Sequence, residues 1–490
     1  MKRLLLALLV LGMAVRLCVF FQNRSLFLDE ANLARNIVEK PVPQFFKPLD
    51  YEQYAPPFFL IFEKAATSAL GNTEQALRLF PLLMGCLVLL FFYLILLKQF
   101  GTPVWVWFPL FLLAFSPDLI RYSTEVKQYM VDTGVGVWLL WLTWKFPPHK
   151  WQKQTALGWA LLGGFCMWLA MPSVFLLFGI GLFYLFSFYR IRQFKKVWST
   201  GLVIICWLVS FGFFYWQILK PGLATDLLVD YHQTHFFPLF PTTTAEWQKA
   251  GNILLGLFRI PFGFTTLAYT IGIVTFLLGI YHLFKKNVAQ FFLLAMPIAS
   301  CLVASGLGYY SLMPRLGLFL VPSLVLICSF GIERVWQLDL GLKRPWVAFA
   351  GLLVFTVIAF AHDGYRFFYQ PLKVEEIKPL MQQIKNHDQT VDLIYVHHEA
   401  APAFIFYKKY HRHPITFPQS RVHIAKWDQS PEAYFMSKQP PAHFWMVFSH
   451  LLSQHAQNMR DDNLSTIPQF YTLVEKLETE GAEAYLFVRK

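Results

Sequence analysis

Two adjacent carboxylates stand at the start of a predicted helix, where Asp29 and Glu30 follow the segment Ser25–Leu28. The N-terminus of a helix favours an ionised carboxylate through its dipole and its free N–H groups. An ionised carboxylate beside a hydroxyl nucleophile can accept the proton of that hydroxyl as a general base. A structural alternative is that Asp29 only caps the helix while Glu30 is solvated. Asp29 and Glu30 are therefore the candidate catalytic residues, with the alternative left open.

A second group of charged residues lies in the segment 116–129. Arg121, Glu125 and Gln128 are spaced i, i+4 and i+7, which predicts one face of a helix, with Lys127 offset from it. Arg121 and Glu125 either form an ion pair worth about 0.3–0.5 kcal/mol, or the cations bind a phosphate and the acids orient a substrate. On the second interpretation the candidate phosphate ligands are Arg121 and Lys127, and the candidate substrate-orienting residues are Asp118 and Glu125.

Two arginines fall in predicted membrane segments, where ionisable side chains are rare and usually face a site. Arg16 lies near one end of the first predicted span, so its side chain is expected to snorkel to the membrane surface. Arg315 follows Pro314 and the pair Tyr309-Tyr310. That setting makes Arg315 the better candidate for an anion site.

Membrane helices must position these residues, because the chain of 490 residues is 56% hydrophobic and only 14% charged. A globular protein carries roughly 25% charged residues, so the composition excludes a soluble enzyme. Apolar runs suited to a hydrocarbon layer of about 30 Å predict a polytopic α-helical membrane protein. About eleven spans are expected, near residues 4–21, 77–97, 104–117, 129–144, 156–171, 173–188, 201–219, 262–284, 288–308, 314–332 and 346–361.

The net charge of +13 is explained by the positions of the lysines and arginines. With the N-terminus in the cytoplasm, the cytoplasmic connections hold 15 of these cations and two acids, and the rest of the chain is balanced. The positive-inside rule therefore predicts a multi-pass protein of the inner, cytoplasmic membrane with a cytoplasmic N-terminus. Nucleic-acid binding has no support, because the cations are scattered among loops and no recognised motif accompanies them.

The chain is predicted to divide into a membrane domain at residues 1–361 and an extracytoplasmic α/β domain at residues 362–490. Strand patterns at 391–396, 443–448 and 471–488 and a helical pattern at 401–410 support the second domain. Ten of the fourteen histidines lie there, including the run His397-His398-Glu399. Their spacing matches no metal-binding motif, so a turn or a satisfied polar cluster is favoured over a metal site.

A set of short motifs resembles the GT-C glycosyltransferases of the protein O-mannosyltransferase and aminoarabinose-transferase type, in particular the bacterial RgtA/B/C/D-like group. The resemblance covers roughly residues 10–330 and rests on the order of Arg16, Leu26–Ala31, Ala55-Pro56-Pro57, Arg121–Tyr129 and Pro314-Arg315-Leu316. It implies a membrane enzyme that transfers a hexose or pentose, with inversion, from a polyprenyl-monophosphate carrier. It implies no cofactor beyond this lipid-linked donor, and the need for a divalent metal stays open.

Carried onto this chain, the resemblance makes Asp29 the general base with Glu30 beside it, and it places the donor phosphate against Arg121, Lys127 and Arg315. Many relatives have His or Lys just before the Pro-Pro pair, where this chain has Tyr54-Ala55. Tyr54 takes that position among the candidate donor-binding residues. The acceptor can be a lipid, a glycan or a protein. The alternative function is a lipid or glycan transporter or flippase, although the internal repeats common in transporters are not apparent.

Overall fold

The architecture comes from a computed structural model, which describes residues 1–222, 232–263, 266–337, 375–387, 391–427, 431, 434–435, 441–467 and 469–490. Helices make up the described chain as far as residue 337, and a small mixed sheet with short helices follows. The predicted fold class, a polytopic α-helical membrane protein with a small C-terminal α/β domain, is confirmed.

The helices of the first part differ widely in length. In chain order they are α1 (Lys2–Phe21), α2 (Leu28–Glu39), α3 (Pro57–Leu70), α4 (Glu74–Phe100), α5 (Trp107–Phe115), α6 (Pro117–Tyr122), α7 (Tyr129–Lys145), α8 (Lys153–Leu169), α9 (Ser173–Arg190), α10 (Phe194–Phe214), α11 (Thr244–Phe262), α12 (Thr266–Lys286), α13 (Val288–Gly306) and α14 (Val321–Gln337). A π-helical turn, Tyr215–Leu219, extends α10, and a 3₁₀ segment, Pro314–Leu320, leads into α14.

Seven helical segments of the described chain are long and apolar enough to cross a membrane, so the chain is a multi-pass membrane protein. They are Lys2–Phe21, Glu74–Phe100, Ser173–Arg190, Phe194–Leu219, Thr266–Lys286, Val288–Gly306 and Pro314–Gln337. The predicted spans 104–117, 129–144 and 156–171 correspond to helices of at most 17 residues. The span predicted at 346–361 lies outside the described residues, and the number of eleven spans is not confirmed.

Two glycines let α12 and α14 pack at short range. A Cβ atom added to Gly279 would lie 1.9 Å from the carbonyl oxygen of Ile327, and one added to Gly331 would lie 1.9 Å from that of Thr275. Small residues allow such close approach, and the resulting van der Waals contact drives association of membrane helices. Because α14 continues from the segment that contains Arg315, this contact helps to fix a candidate site residue.

The described C-terminal part contains five strands and three helices. The strands are β1 (Leu393–Val396), β2 (Val422–Ile424), β3 (His443–Ser449), β4 (Tyr471–Thr479) and β5 (Ala482–Arg489), and the helices are α15 (Ile377–His387), α16 (Ala401–Ile405) and α17 (Gln454–Ser465). The strands lie in the order β2-β1-β3-β5-β4. The first strand pairs parallel with β2 and β3, while β5 pairs antiparallel with β3 and β4.

The predicted strands at 391–396, 443–448 and 471–488 are confirmed, and so is the helical segment at 401–410, which continues α16 through a π-helical turn. The sequence patterns did not predict β2, α15 or α17. The predicted boundary between residues 361 and 362 lies outside the described residues. The division into 1–361 and 362–490 therefore stays a prediction.

The C-terminal part packs directly on the helices near the start of α2. The Tyr407 hydroxyl accepts a hydrogen bond from the Leu26 N–H at 2.7 Å. The His411 Nε2 atom lies 3.1 Å from the Glu74 carboxylate, and a single hydrophobic core includes residues of both parts. This packing fixes the beginning of the helix that carries Asp29.

Candidate active site

The Asp29 side chain lies in the first turn of α2 with 36% of its surface exposed. Its Oδ2 atom is 3.7 Å from Nη1 of Arg315, and the nearby Gln53 side chain helps to lower the pKa of the carboxyl group. The positive charge of Lys127, more than that of any other group, holds the pKa of Asp29 below its ordinary value, and Arg315 and His450 act in the same direction. Asp29 is therefore an ionised carboxylate that is accessible from the solvent.

Lys127 is a buried cation beside this carboxylate, with 6% of its surface exposed. Its Nζ atom donates a hydrogen bond of 2.8 Å to Oε1 of Gln53, a side chain that also helps to lower the pKa of Asp29. Burial lowers the pKa of Lys127, and Asp29 opposes that effect. Because water screens a buried charge poorly, Lys127 can act strongly on Asp29 and on any anion bound beside Lys127.

Glu30 is the neighbour of Asp29 in the chain but has a different environment. Its side chain is fully buried and pairs with Arg78 of α4 at 2.6 Å. Its other oxygen accepts the Val126 N–H at 2.8 Å. Although burial opposes ionisation, Arg78 and Arg24 hold the pKa of Glu30 below its ordinary value. Both carboxylate oxygens are thus occupied by protein donors, and the arrangement suits a positioning role.

Arg24 and Arg78 were not identified from the sequence, although both are buried at this site. Arg78 also donates to the carbonyl oxygens of Arg24 and Ser25, at 2.7 and 3.1 Å. Arg24 donates to the Thr124 carbonyl at 2.7 Å and lies 3.8 Å from Glu125. An arginine inside an apolar span usually faces a functional site. Arg78 lies inside the span predicted at 77–97, so this rule could have identified it from the sequence.

Arg121 and Glu125 form an ion pair, one of the two interpretations of their spacing, with 2.6 Å between Nε of Arg121 and Oε1 of Glu125. The prediction of one helical face through Gln128 is wrong, because α6 ends at Tyr122 and turns connect it to α7. The Glu125 carboxylate is buried and lies between Arg121 and Arg24, whereas the Arg121 side chain is 37% exposed. Of the two, only Arg121 presents a charge toward solvent.

Tyr54 has a buried hydroxyl without a hydrogen-bond partner in the described part of the chain. Burial raises the pKa of Tyr54, and the charge of Asp132 on α7 adds to the effect. The Tyr54 carbonyl accepts a hydrogen bond of 3.4 Å from the Gln128 side chain. The structure thus places the hydroxyl near Asp132, and the cations beside Asp29 are Lys127 and Arg315.

Asp118 lines a cavity of about 730 Å³ between α6, α11 and the residues before Arg315. Lys249, Asn252 and Arg259 of α11 and Pro314 contribute to the same wall. The cavity wall thus includes the residue that precedes Arg315 in the chain. Asp118 and Glu125, the two candidate substrate-orienting acids, lie in different surroundings.

Arg16 does not snorkel, contrary to the expectation from its position in the span. Its side chain is fully buried and donates to the carbonyl oxygens of Ala114 and Leu113 at 2.7 and 3.0 Å. It also donates to the Ser123 hydroxyl at 3.2 Å. Arg16 therefore ties α1 to the end of α5 and to the segment that leads to Lys127.

Residues of the C-terminal part reach the start of α2. Both Glu376 oxygens accept hydrogen bonds from Ser25, at 3.3 Å from its N–H and 3.0 Å from its hydroxyl. Glu375 accepts the Leu28 N–H at 3.1 Å through one oxygen and contacts Nδ1 of His450 at 2.6 Å through the other. The hydrogen bond that His450 donates to Glu375 raises the pKa of His450, and the charge of Asp29 raises it further.

The described residues contain no group of three His, Cys, Asp or Glu side chains placed to hold a metal ion. The run His397-His398-Glu399 forms the predicted turn after β1. Its polar atoms are not all satisfied, since Nδ1 of His397, Nε2 of His398 and Oε2 of Glu399 are buried and lack hydrogen-bond partners within the described ranges.

Comparison with solved structures supports the predicted fold. Two structures of ArnT from Cupriavidus metallidurans, one in the apo state and one bound to undecaprenyl phosphate, each align over 97% of this chain and 97% of their own. Their TM-scores are 0.51 and 0.52, at 14% and 13% sequence identity. The chain thus has the GT-C fold that its motifs predict.

An oligosaccharyltransferase from Archaeoglobus fulgidus, in a complex with Zn and sulfate, aligns over 98% of this chain and 72% of its own. Its TM-score is 0.49 at 14% identity. No family model matches the sequence, and no curated protein does.

Proposed function

We propose that the protein is an inverting glycosyltransferase that moves a sugar from a polyprenyl-monophosphate carrier to an acceptor hydroxyl at the outer face of the cytoplasmic membrane. The observation that carries this proposal is the ionised, partly exposed carboxylate of Asp29 between the cations Lys127 and Arg315. The fold shared with ArnT, which has been solved with bound undecaprenyl phosphate, supports a polyprenyl carrier.

Asp29 accepts the proton of the acceptor hydroxyl while the hydroxyl oxygen attacks the anomeric carbon of the donor sugar. The new carbon–oxygen bond forms on the face opposite to the phosphate. The bond from the anomeric carbon to the phosphate oxygen breaks, and its electron pair stays on that oxygen. One displacement inverts the anomeric configuration and releases the polyprenyl monophosphate.

Lys127 and Arg315 stabilise the leaving group. The donor is a phosphodiester with one negative charge, and the released polyprenyl monophosphate carries a second charge that develops in the transition state. Fixed cations near a developing charge lower the barrier, because they need no reorganisation at the moment of reaction. Lys127 is held by Gln53, and Arg315 is on the segment that leads into the tightly packed α14.

Glu30 positions Asp29 and does not exchange the proton, because Arg78 and the Val126 N–H occupy its oxygens. The exposed guanidinium of Arg121 is available to the donor phosphate only at the edge of the site, since Glu125 already pairs with it.

The N-terminus lies in the cytoplasm and the C-terminal domain outside, as the charge distribution indicates.

The test uses the full-length protein in nanodiscs with labelled polyprenyl-phosphate sugars and a membrane lipid and glycan extract as the acceptor pool. We expect Asp29→Asn to lower transfer by about 10²–10⁴-fold while undecaprenyl phosphate still binds. Asp50→Asn is the matched control, because Asp50 lies between α2 and α3 and its exposed carboxylate pairs with Lys40. Full turnover by Asp29→Asn contradicts the proposal. Movement of the lipid across the bilayer without any sugar transfer favours a flippase instead.

A further inference from the structure

The turn His397-His398-Glu399 follows β1, and His450 follows β3. These strands are parallel neighbours, so their carboxyl ends meet at one edge of the sheet. From β1 the chain goes to β2 on one side and then crosses to β3 on the other. In open α/β sheets, ligands bind at the carboxyl ends of strands where the order reverses in this way.

Unsatisfied polar atoms are concentrated at this edge. In the described part of the chain, Nδ1 of His397, Nε2 of His398 and Oε2 of Glu399 are buried without hydrogen-bond partners. Leaving a buried polar atom unpaired costs about 1–3 kcal/mol, and native proteins contain only a few such atoms per hundred residues. Three of them in consecutive residues indicate that a hydrogen-bonding ligand belongs here.

Trp427 adds an aromatic surface to the cluster. Its ring centroid lies 4.4 Å from that of His398, and its side chain is 78% exposed. An indole ring combines a large apolar face with one polar N–H group. A sugar ring has a matching hydrocarbon face and hydroxyls around its rim, so it can stack on Trp427 and present those hydroxyls to the neighbouring His398.

The charges of the cluster select a neutral ligand. Burial, with a smaller contribution from His398, lowers the pKa of His397 to about 3, and burial also lowers the pKa of His398. Each neutral imidazole offers one donor and one acceptor. The carboxyl group of Glu399 adjoins the two imidazoles in the chain and Glu375 lies near Glu399, and these acids disfavour an anion.

The cluster lies on the side of the C-terminal domain that faces Asp29. Glu399 is close enough to His450 and Glu375 for their charges to affect its ionisation. Glu375 in turn contacts His450 and the backbone of Leu28, the residue before Asp29. A ligand held here would extend toward the carboxylate that activates the acceptor.

We propose that His397, His398, Glu399 and Trp427 form a subsite for a neutral sugar of the acceptor, which makes the acceptor a glycan or glycolipid. This inference rests on the proposed glycosyl transfer, with Asp29 as the base for a hydroxyl of that sugar. On this proposal the histidine-rich C-terminal domain binds the acceptor, while the donor lies against Lys127 and Arg315.

The experiment measures binding of methyl glycosides of neutral hexoses to the full-length protein in nanodiscs by saturation-transfer NMR. We expect the wild type to bind at least one of them, and Trp427→Ala and His398→Ala to bind it at least tenfold more weakly. Trp198→Ala is the matched control, because Trp198 on α10 is 77% exposed and remote in sequence from the cluster. Equal binding by the variants, or no binding by the wild type, overturns the inference.

Two further measurements separate this inference from the proposed function. Methyl glucuronides carry an added negative charge, and tighter binding of these than of the neutral glycosides also overturns the inference. Undecaprenyl phosphate binding and transfer from the lipid-linked donor are measured on the same samples. Their absence in the wild type contradicts the proposed function. If both are present while the subsite variants bind glycosides normally, only the subsite fails.

Discussion

The carboxylate of Glu30 and the guanidinium of Arg78 form a buried ion pair, with 2.6 Å between Oε2 and Nη2. Glu30 is 0% exposed and Arg78 2%. The pair joins the first turn of α2 to α4, and Arg78 further binds the two carbonyl groups that precede α2. It therefore sets the position of the neighbouring Asp29 without leaving a free oxygen on Glu30.

Removing one partner of this pair is expected to destabilise the protein. Arg78→Met leaves the Glu30 carboxylate buried without its cation, a loss of about 3–5 kcal/mol in the free energy of unfolding. The measurement is the thermal unfolding midpoint in detergent, compared with that of Lys40→Met. Lys40 pairs with the exposed Asp50, and such surface pairs contribute about 0–1 kcal/mol. Equal midpoints for the two variants would show that the buried pair does not hold α2.

The pH dependence of transfer reports on the cations around Asp29. A carboxylate whose pKa is depressed stays ionised to lower pH, and both its activity as a base and its contribution to stability are lost as pH falls through the lowered value. Since Lys127 is the largest cause of that depression, Lys127→Met is expected to move the acid limb of kcat/KM to higher pH. Transfer at neutral pH should also fall by about 10²–10³-fold. Lys40→Met should leave both unchanged, and an unmoved acid limb in Lys127→Met contradicts the assignment.

His450 is expected to tune Asp29 through charge while its backbone conformation is kept. Its φ of +67° is unusual for a residue other than glycine, and asparagine tolerates that region better than most residues. His450→Asn should therefore fold normally, lose the cation that lowers the pKa of Asp29, and show an acid limb at higher pH. The shift should be smaller than that of Lys127→Met. A loss of stability without any change in the pH profile would indicate a structural role only.

Replacing a glycine at the contact between α12 and α14 by a larger residue is predicted to destabilise the protein. Gly279→Ala places a Cβ atom against the Ile327 carbonyl, and forcing the helices apart costs about 1–3 kcal/mol. The control is Gly201→Ala on α10, where a Cβ atom meets nothing within 4 Å. Thermal unfolding midpoints should fall for the first variant and not for the second. Because Arg315 precedes α14, donor binding should weaken together with stability in Gly279→Ala.

Local patterns predicted several features well. The start of α2 beside Asp29 and the strands within 391–396, 443–448 and 471–488 follow from capping and periodicity. The pattern failed between Arg121 and Gln128, where spacing indicated a continuous helix and the chain instead makes turns. There the buried contacts of Thr124 and Glu125 with Arg24 replace the helical arrangement.

Glu30 illustrates what spacing could not decide. Its neighbour in the sequence is Asp29, and the two have the same charge and nearly the same chemistry. Arg78, 48 residues away, buries and pairs one of them, whereas Arg315, on the segment before α14, faces the other. Gln53 and His450 gave no sequence signal, because neither residue type is unusual where it stands.

The sequence by itself determined that this is a polytopic helical membrane protein with a small α/β domain, and it located a carboxylate at a helix start. Those conclusions depend on hydropathy, charge and capping, which act within a few residues along the chain. The tertiary structure decided which carboxylate is open, which cations face it, and that the C-terminal domain reaches its helix. Contacts between residues 29 and 315, or 28 and 375, arise only when packing of distant helices and strands brings them together, and burial then sets their charges.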